Sequence, residues 1–229
     1  MSPANQNAVT KNANGKPRRK RDPVATRAAI LDAAKQVLAQ DGPDALSVSR
    51  VAHLAGVNRG TAYQHFQTRE DLIHATLQMV ADQLCKAVYE DPESGEIAPT
   101  KTSAKHVVES IIEFAVENPE LGRIWLFDVL SSKNPSEDKF FKLYRDTVEE
   151  VVNKGFTQKN IDVETHSVIM LSAYFIWPAW VKAHARSKQE RQKMTDRMTR
   201  EILRLSMYGF LIPEQHPDVA EMLNQKPDD

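Results

Sequence analysis

Residues 46–72 read LSVSRVAHLAGVNRGTAYQHFQTREDL, and this stretch decides the fold of the chain. It predicts two short helices, a tight turn between them and the start of a third, longer helix. Ser47 suits the N-cap of the first helix, because its hydroxyl can accept an otherwise unpaired N–H group. Gly56 can end that helix in the left-handed conformation without steric cost, and Asn58 can cap the next helix. This spacing is typical of a helix-turn-helix.

The second short helix carries side chains that suit DNA. Hydrogen-bond donors on its exposed side match phosphate oxygens and base edges. These residues are Arg59, Thr61, Tyr63, Gln64 and His65. Thr68 and Asp71 form a near match to a capping box, with Asp in place of Glu or Gln, and predict the start of the third helix. The same local pattern fits an ordinary helical corner in which Tyr63 and Phe66 are core residues.

Charge is unevenly distributed along the 229 residues, although the net charge is only −1. Residues 1–70 hold 11 of the 30 Lys and Arg residues and 5 of the 31 Asp and Glu residues, a balance of +6. The rest of the chain holds 19 and 26, a balance of −7. Positive charge therefore accompanies the predicted helix-turn-helix, as attraction to phosphate requires.

The composition is that of an ordinary soluble globular protein, with 27% charged and 41% hydrophobic residues. Its single cysteine, Cys85, excludes an internal disulfide and fits a reducing cytoplasm. Apolar runs stay shorter than the roughly 20 residues of a membrane span, and the first residues lack a signal peptide pattern. We therefore expect a cytoplasmic protein that does not contact a membrane.

Patterns that carry enzyme chemistry are missing from the sequence. The seven histidines are scattered without a metal-ligand spacing, and the eight glycines form no phosphate-binding loop. A nucleophile elbow and an alternation of strands and helices are also lacking. We therefore expect no enzymatic activity, no metal and no cofactor.

Both ends of the chain are predicted to be flexible. Residues 1–22 form a disordered basic arm, poor in apolar side chains, in which residues 16–21 pack five cations into six positions. Such an arm can follow phosphates or enter a minor groove, or it can serve only as a solubilising tail. Residues 214–229 are polar and predict a flexible tail.

A family resemblance emerges when the preceding helix, predicted over residues 24–40, is included. Residues 26–42, TRAAILDAAKQVLAQDG, and then residues 46–72 resemble the N-terminal domain of the TetR family of bacterial transcriptional regulators. In that family a helix ending near a glycine precedes a helix-turn-helix with a tyrosine, then His-Phe, then a basic residue before an acidic one. The resemblance covers about residues 24–75.

The resemblance implies an all-α fold with two parts. Residues 23–70 would form a three-helix DNA-binding domain with the helix-turn-helix. Residues 71–213 would form a larger helical domain for ligand binding and dimerisation. The resemblance also implies that the protein is a homodimer that binds a double-stranded DNA operator.

The resemblance also implies DNA contacts. Ser47 would bind a phosphate at the start of the first short helix, and Arg69 would hold the DNA backbone from the start of the third. The second short helix would supply Asn58, Arg59, Gly60, Thr61, Tyr63, Gln64 and His65 to the major groove, phosphates or thymine methyl groups. Gly60 would allow a close backbone approach. Ala62 replaces a larger aliphatic residue and Arg69 replaces Lys, so the operator sequence stays open.

The larger domain is predicted to be helical throughout. Residues 72–89 predict the long helix that joins it to the DNA-binding domain, followed by a Pro- and Gly-containing loop at residues 91–100. Further helices are predicted around residues 107–115 and over residues 121–130, 138–155, 163–186 and 190–210. Pro178 is expected to break or kink the helix in which it lies.

The resemblance implies that the last two helices, residues 163–186 and 190–210, form the homodimer as a four-helix bundle. A two-fold symmetric DNA site requires a two-fold symmetric protein. An apolar stripe at helical spacing on the last helix consists of Met194, Met198, Ile202 and Leu205, with Leu203 nearby. This stripe can serve the dimer interface, or it can face the core of its own chain.

The resemblance further implies a cavity for a small apolar or amphipathic effector. Aromatic and flexible side chains can enclose such a molecule, although each can instead be plain core. The candidate residues are Trp125, Phe127, Phe141, Tyr144, Met170, Tyr174, Phe175 and Trp177. His106, Arg123 and Asp128 can orient a ligand or lie at the surface.

The sequence therefore predicts a ligand-responsive, homodimeric transcriptional regulator, a repressor that binds a palindromic operator and is released by its effector. Two alternatives stay open. One is an activator or architectural DNA-binding protein without an effector, and the other is a helical protein-interaction module that has lost DNA binding.

Overall fold

The computed structural model describes residues 22–99 and 102–208, which form nine α-helices and no β-strand. The helices are α1 (Pro23–Asp41), α2 (Val48–Leu54), α3 (Arg59–His65), α4 (Arg69–Tyr89), α5 (Ala104–Glu117), α6 (Pro119–Ser131), α7 (Lys139–Asn153), α8 (Val163–His184) and α9 (Lys188–Tyr208). Short 3-10 turns lie at Pro43–Ala45 and Pro135–Glu137. The predicted all-α fold is confirmed.

Helices α1 to α3 and the start of α4 form a small head with its own core. Ile30 of α1, Val51 of α2, Ala62 of α3 and Leu72 of α4 are completely buried in it. Helices of seven residues, such as α2 and α3, are too short to be stable alone in water. Burial of this shared core therefore stabilises the helix-turn-helix.

Helices α4 to α9 form the body, in which α5 packs against α4, α8 and α9. Aromatic rings fill the space where α6, α7 and α8 meet. The ring centroid of Trp125 lies 5.7 Å from that of Phe140 and 4.6 Å from that of Phe175. Gly122 allows this packing, because a Cβ atom there would stand 2.8 Å from Cδ1 of Phe175.

Three helices join the head to the body. Helix α4 starts in the head core and continues into the body core. At the end of α1, Leu38 packs against both cores and Ala39 is buried in the body core. Arg123 of α6 donates a hydrogen bond from Nη2 to the carbonyl oxygen of Ala39. The orientation of the head therefore depends on contacts among α1, α4 and α6.

The predicted helices are present, with ends that differ by a few residues. Helix α4 begins at Arg69, directly after its N-cap Thr68, so the predicted capping box of Thr68 and Asp71 is confirmed. Helix α8 is not broken at Pro178, because this residue is buried and core packing offsets one lost backbone hydrogen bond. The predicted arm, except Asp22, and the predicted tail lie outside the described residues.

Candidate functional site

The turn between α2 and α3 has the geometry that its glycine predicts. Gly56 has a φ of +64°, in the left-handed region. Its N–H donates to the carbonyl of His53 at 3.2 Å, and the N–H of Val57 donates to the carbonyl of Ala52 at 3.0 Å. This pair of hydrogen bonds is a Schellman motif, which ends α2 and turns the chain into α3.

Side-chain caps fix the starts of the short helices. Ser47 Oγ accepts the N–H of Arg50 at 3.2 Å at the start of α2. Asn58 Oδ1 accepts the N–H of Thr61 at 2.7 Å at the start of α3. Both predicted N-caps are confirmed, and each accepts one of the N–H groups that a helix start leaves unpaired.

Helix α3 seals one side against the head and presents the other to solvent. Ala62 is completely buried, and its small side chain lets α3 lie close to Ala52 of α2, which is also buried. Arg59, Gly60, Tyr63 and Gln64 are exposed, whereas Thr61 and His65 are half-buried at the margin. The structure therefore brings the predicted contact residues of α3 to one surface.

Arg59 and Tyr63 form the polar centre of this surface. The Arg59 guanidinium carbon lies 5.6 Å from the centroid of the Tyr63 ring, a cation–π distance. The side chain of Ser49, and next that of Arg59, lower the pKa of the Tyr63 hydroxyl. A guanidinium and a phenol held side by side present several donors to one acceptor-rich partner.

Gly60 leaves the backbone of α3 open. A Cβ atom at this position would meet only Asn58 Oδ1 among nearby atoms of the described residues, at 3.5 Å, which is ordinary contact. The fold therefore does not require glycine here. A glycine inside a helix costs about 1 kcal/mol relative to alanine, so its use fits a partner that approaches the backbone closely.

Arg69 is engaged inside the head. Its Nε donates to the carbonyl of Leu46 at 3.0 Å, and its Nη2 donates to the carbonyl of Pro43 at 2.7 Å. Its Nη1 also lies 3.3 Å from Glu70 Oε1. These bonds tie the start of α4 to the segment that precedes α2. Its contact with the DNA backbone stays a prediction, beside this structural role.

Replacing Arg69 by alanine is expected to lower the free energy of unfolding by about 1–2 kcal/mol, because two carbonyl oxygens lose a charged donor. Urea unfolding followed by circular dichroism measures this change. Arg59→Ala is the matched control, since the exposed Arg59 side chain contacts Tyr63 of its own helix, and it should stay within about 0.5 kcal/mol of the wild type. Equal stability of the two variants would contradict the structural role.

Most of the predicted effector residues lie in or beside the body core. Five of them are at most 6% exposed: Trp125, Phe141, Tyr144, Tyr174 and Phe175. Burial raises the pKa of Tyr174 to about 12. Met170 and Trp177 are half-buried, and the indole N–H of Trp177 is buried without an acceptor among the described residues. Effector binding by this set stays a prediction.

Phe127, the remaining member of the set, is 49% exposed and lines a cavity of about 360 Å³. This joint cavity lies between the end of α1, the first turns of α4, and α6, with Leu38, Leu77 and Ile124 in its walls. A neighbouring cavity of about 540 Å³ lies between α4, α6 and the start of α7. Leu77 and Asp128 line both cavities.

The three polar candidates have different positions. Arg123 and Asp128 line the joint cavity. His106 is exposed on α5, where its Nε2 lies 3.2 Å from Ser110 Oγ. The sequence could identify the polar residues of α6 but not the cavity, because the cavity exists only where three separate helices meet.

The apolar stripe of α9 faces the core of its own chain, except for Leu205, which is 39% exposed. Met194 and Ile202 are 8% and 5% exposed and belong to the body core, where α9 packs against α5. Met198 is partly buried against the same core. Assigning this stripe to the dimer interface is therefore wrong for these residues, because α5 already covers them.

Helix α8 instead keeps an apolar face open. Val168, Ile169, Ile176 and Trp180 are 49%, 61%, 51% and 56% exposed. At about 100° per residue they fall within an arc of roughly 120°, so they form one continuous stripe, named here the α8 outer face. The sequence did not single out these residues, because α8 is apolar on nearly all sides.

Neither a metal cluster nor a membrane span occurs among the described residues. Within that part of the chain, no three His, Cys, Asp or Glu side chains come together as metal ligands. None of its helices combines the length and apolar character of a membrane span.

The fold and the exposed α3 define a class of protein, an all-α chain with a helix-turn-helix head on a helical body. Residues 30–76 match the family model described as bacterial regulatory proteins, tetR family. The predicted resemblance to the TetR family is therefore confirmed over these residues.

Individual comparisons agree with this match. A transcriptional repressor of helix-turn-helix type from Mycobacterium tuberculosis H37Rv, Rv3405c, is 35% identical over 64 residues, or 28% of this chain and 34% of that protein. The chain thus spans about a third of the length of the curated relatives it matches. A tetR-family regulatory protein from Rhodococcus RHA1 superimposes with a TM-score of 0.60 at 19% identity, covering 79% of this chain and 96% of that one.

A third similar protein was solved with two partners. AibR, in complex with isovaleryl coenzyme A and operator DNA, superimposes with a TM-score of 0.56 at 14% identity, covering 76% of this chain and 96% of that one. At these identities the two structural matches show a common fold of head and body.

Proposed function

We propose that this chain is a ligand-responsive, homodimeric transcriptional repressor that binds a palindromic operator. The observation that carries this proposal is the orientation of α3. Its Ala62 is buried in the head core, whereas Arg59 and Tyr63 lie together on its exposed side. Exposed donors on a helix held by a capped turn are suited to base edges and phosphates in a major groove. The protein acts in the bacterial cytoplasm and has no enzymatic activity.

The α8 outer face supports dimer formation. Four large apolar side chains on one helix face, each about half exposed, form the kind of continuous patch that marks a protein–protein interface. In a two-fold dimer the same face of each subunit meets its copy, so a self-complementary apolar stripe suffices. The dimer would then place its two recognition helices about one DNA turn, roughly 34–36 Å, apart.

An effector in the body would release the dimer from DNA. The crystal structure of AibR contains both isovaleryl coenzyme A and operator DNA, which supports a small apolar or amphipathic effector here. Helix α4 runs from the head core into the body core, so a ligand that shifts α4 changes the position of the head. The coupling need only be about 1–3 kcal/mol.

A promoter experiment tests the proposal and separates its alternatives. Purified protein is titrated into DNA from upstream of its own gene in a mobility-shift assay, and the same DNA drives a reporter in cells. We expect a sequence-specific shift whose affinity falls steeply with salt, and reporter output that rises when the gene is deleted. A specific shift with falling reporter output indicates an activator. Absence of any specific shift favours the helical protein-interaction module.

A further inference from the structure

We propose that the joint cavity binds a small apolar amine, whose ammonium group pairs with the carboxylate of Asp128. The cavity measures about 360 Å³, within the range of roughly 300–1,000 Å³ that small-molecule sites occupy. Leu38, Ile73, Leu77 and Ile124 supply apolar walls. Arg123 and Asp128 are the charged side chains in the lining, and apolar walls with a few polar groups are the usual composition of a small-molecule site.

Asp128 is singled out by its lack of a partner. Of the carboxylates that line the neighbouring cavity, Asp82 and Glu137 form ion pairs with lysines. Asp138 accepts the indole N–H of Trp125 at 2.9 Å. Asp128 makes no side-chain hydrogen bond or ion pair with another residue of the described part. Among these carboxylates, Asp128 is therefore the one that is available to pair with a ligand.

The surroundings of Asp128 favour a cation as its partner. The side chain is half-buried, and burial, followed by the negative charge of Asp138, raises the pKa of the Asp128 carboxyl, whereas His74 lowers it. A partly desolvated carboxylate without a counter-ion is costly, and an ammonium group would offset that cost. Arg123 forms neither a hydrogen bond nor an ion pair with Asp128; its Nη2 donates to the carbonyl of Ala39 instead.

Phe127 adds an exposed aromatic ring to the wall of the joint cavity. Its ring is 49% exposed and lines the cavity one residue before Asp128. An exposed aromatic ring beside a carboxylate attracts cations and also covers apolar groups. Asp128 is the acidic residue in the lining of the joint cavity, and Nη2 of Arg123, the cation in that lining, is bound to the carbonyl of Ala39. We therefore expect the cavity to favour amines over carboxylic acids of the same shape.

A molecule in this cavity would contact the head and the body at once. The walls come from the end of α1, the first turns of α4, and α6. Binding would therefore favour one orientation of the head over others, in proportion to the difference in affinity for those orientations. This consequence for DNA affinity rests on the proposed function, but binding of the amine does not.

The test uses 4-phenylbutylamine as the probe, titrated into the full-length protein without DNA and followed by NMR. The neutral 4-phenylbutan-1-ol and the anionic 4-phenylbutyrate serve as matched ligands. We expect the amine to bind at least about tenfold more tightly than the alcohol, as a charged hydrogen bond provides, and the acid to bind more weakly than either. Asp128→Asn should weaken amine binding about tenfold and leave alcohol binding unchanged.

Two further variants complete the design. Asp82→Asn is the control, because that carboxylate faces the neighbouring cavity and pairs with Lys139, and it should keep the affinity for the amine. Phe127→Ala, at an exposed site, should weaken binding of both the amine and the alcohol. The melting temperature of each variant shows whether it folds.

Three results would overturn the proposal: absence of amine binding, equal binding of amine and alcohol, or full amine affinity in folded Asp128→Asn. Amine binding without any operator binding would contradict the proposed function alone. Operator binding without amine binding would contradict this inference alone.

Discussion

Replacing both Ile176 and Trp180 by aspartate is expected to convert the dimer into a monomer and to weaken operator binding by about 100-fold or more. Two of the four apolar side chains of the α8 outer face, 51% and 56% exposed in the single chain, would become charged. A buried charge without a partner strongly destabilises an interface. A monomer engages one half-site at a time and loses the gain of about 10²–10⁴ that linked binding provides.

Sedimentation equilibrium and a mobility-shift titration measure the two effects. Both side chains are solvent-exposed within one subunit, so the helical circular dichroism spectrum of the variant should match the wild type. Leu130→Asp is the control, because Leu130 is 77% exposed on α6 and lies outside the α8 outer face. A double variant that stays dimeric would show that this face is not the interface.

Replacing Arg59 or Tyr63 by alanine is expected to weaken specific operator binding by about 1–3 kcal/mol each. The two side chains occupy the exposed face of α3 and contact each other, so their effects should not be additive. Mobility-shift titrations on the operator and on a scrambled duplex measure the loss. Affinity for the scrambled duplex should change much less than affinity for the operator.

Gln36→Ala, at an exposed position on α1, is the control for these variants and should leave the specific shift unchanged. An unchanged specific shift in both Arg59→Ala and Tyr63→Ala would mean that α3 does not read the operator. The variant that carries both Arg59→Ala and Tyr63→Ala adds a second check. If its loss of operator affinity equals the sum of the two single losses, the double-mutant cycle shows no coupling, which would contradict the contact between the two side chains.

The head was predictable because its signals are local. Gly56 must adopt a positive φ whatever lies around it, and Ser47, Asn58 and Thr68 each cap a helix through a bond spanning three residues. Such contacts depend on sequence spacing alone, so the caps and the turn followed from the sequence.

The body was predictable as helices but not as surfaces. Met194 and Trp180 both lie on apolar helices, yet Met194 is buried and Trp180 is half exposed. Which face a helix turns inward depends on how neighbouring helices are arranged, and helical spacing does not contain that arrangement. The same limit explains why a set of aromatic residues predicted as a cavity lies largely in the core.

The contacts of Arg69 show a further limit of prediction from the sequence. The family resemblance assigns it to the DNA backbone, while the structure shows its guanidinium on the carbonyls of Leu46 and Pro43. Those partners lie 23 and 26 residues away in sequence. Replacement of the usual Lys by Arg was visible in the sequence, but its consequence required the folded loop.

The proposal as a whole depends on two α3 helices that enter successive major grooves on one side of a duplex. Hydroxyl-radical footprinting of the wild-type protein on its own promoter tests this most directly. We expect two equally protected patches, related by two-fold symmetry and separated by about one helical turn, roughly 10 base pairs. A single protected patch, or protection without symmetry, would contradict the proposed dimer on a palindromic operator.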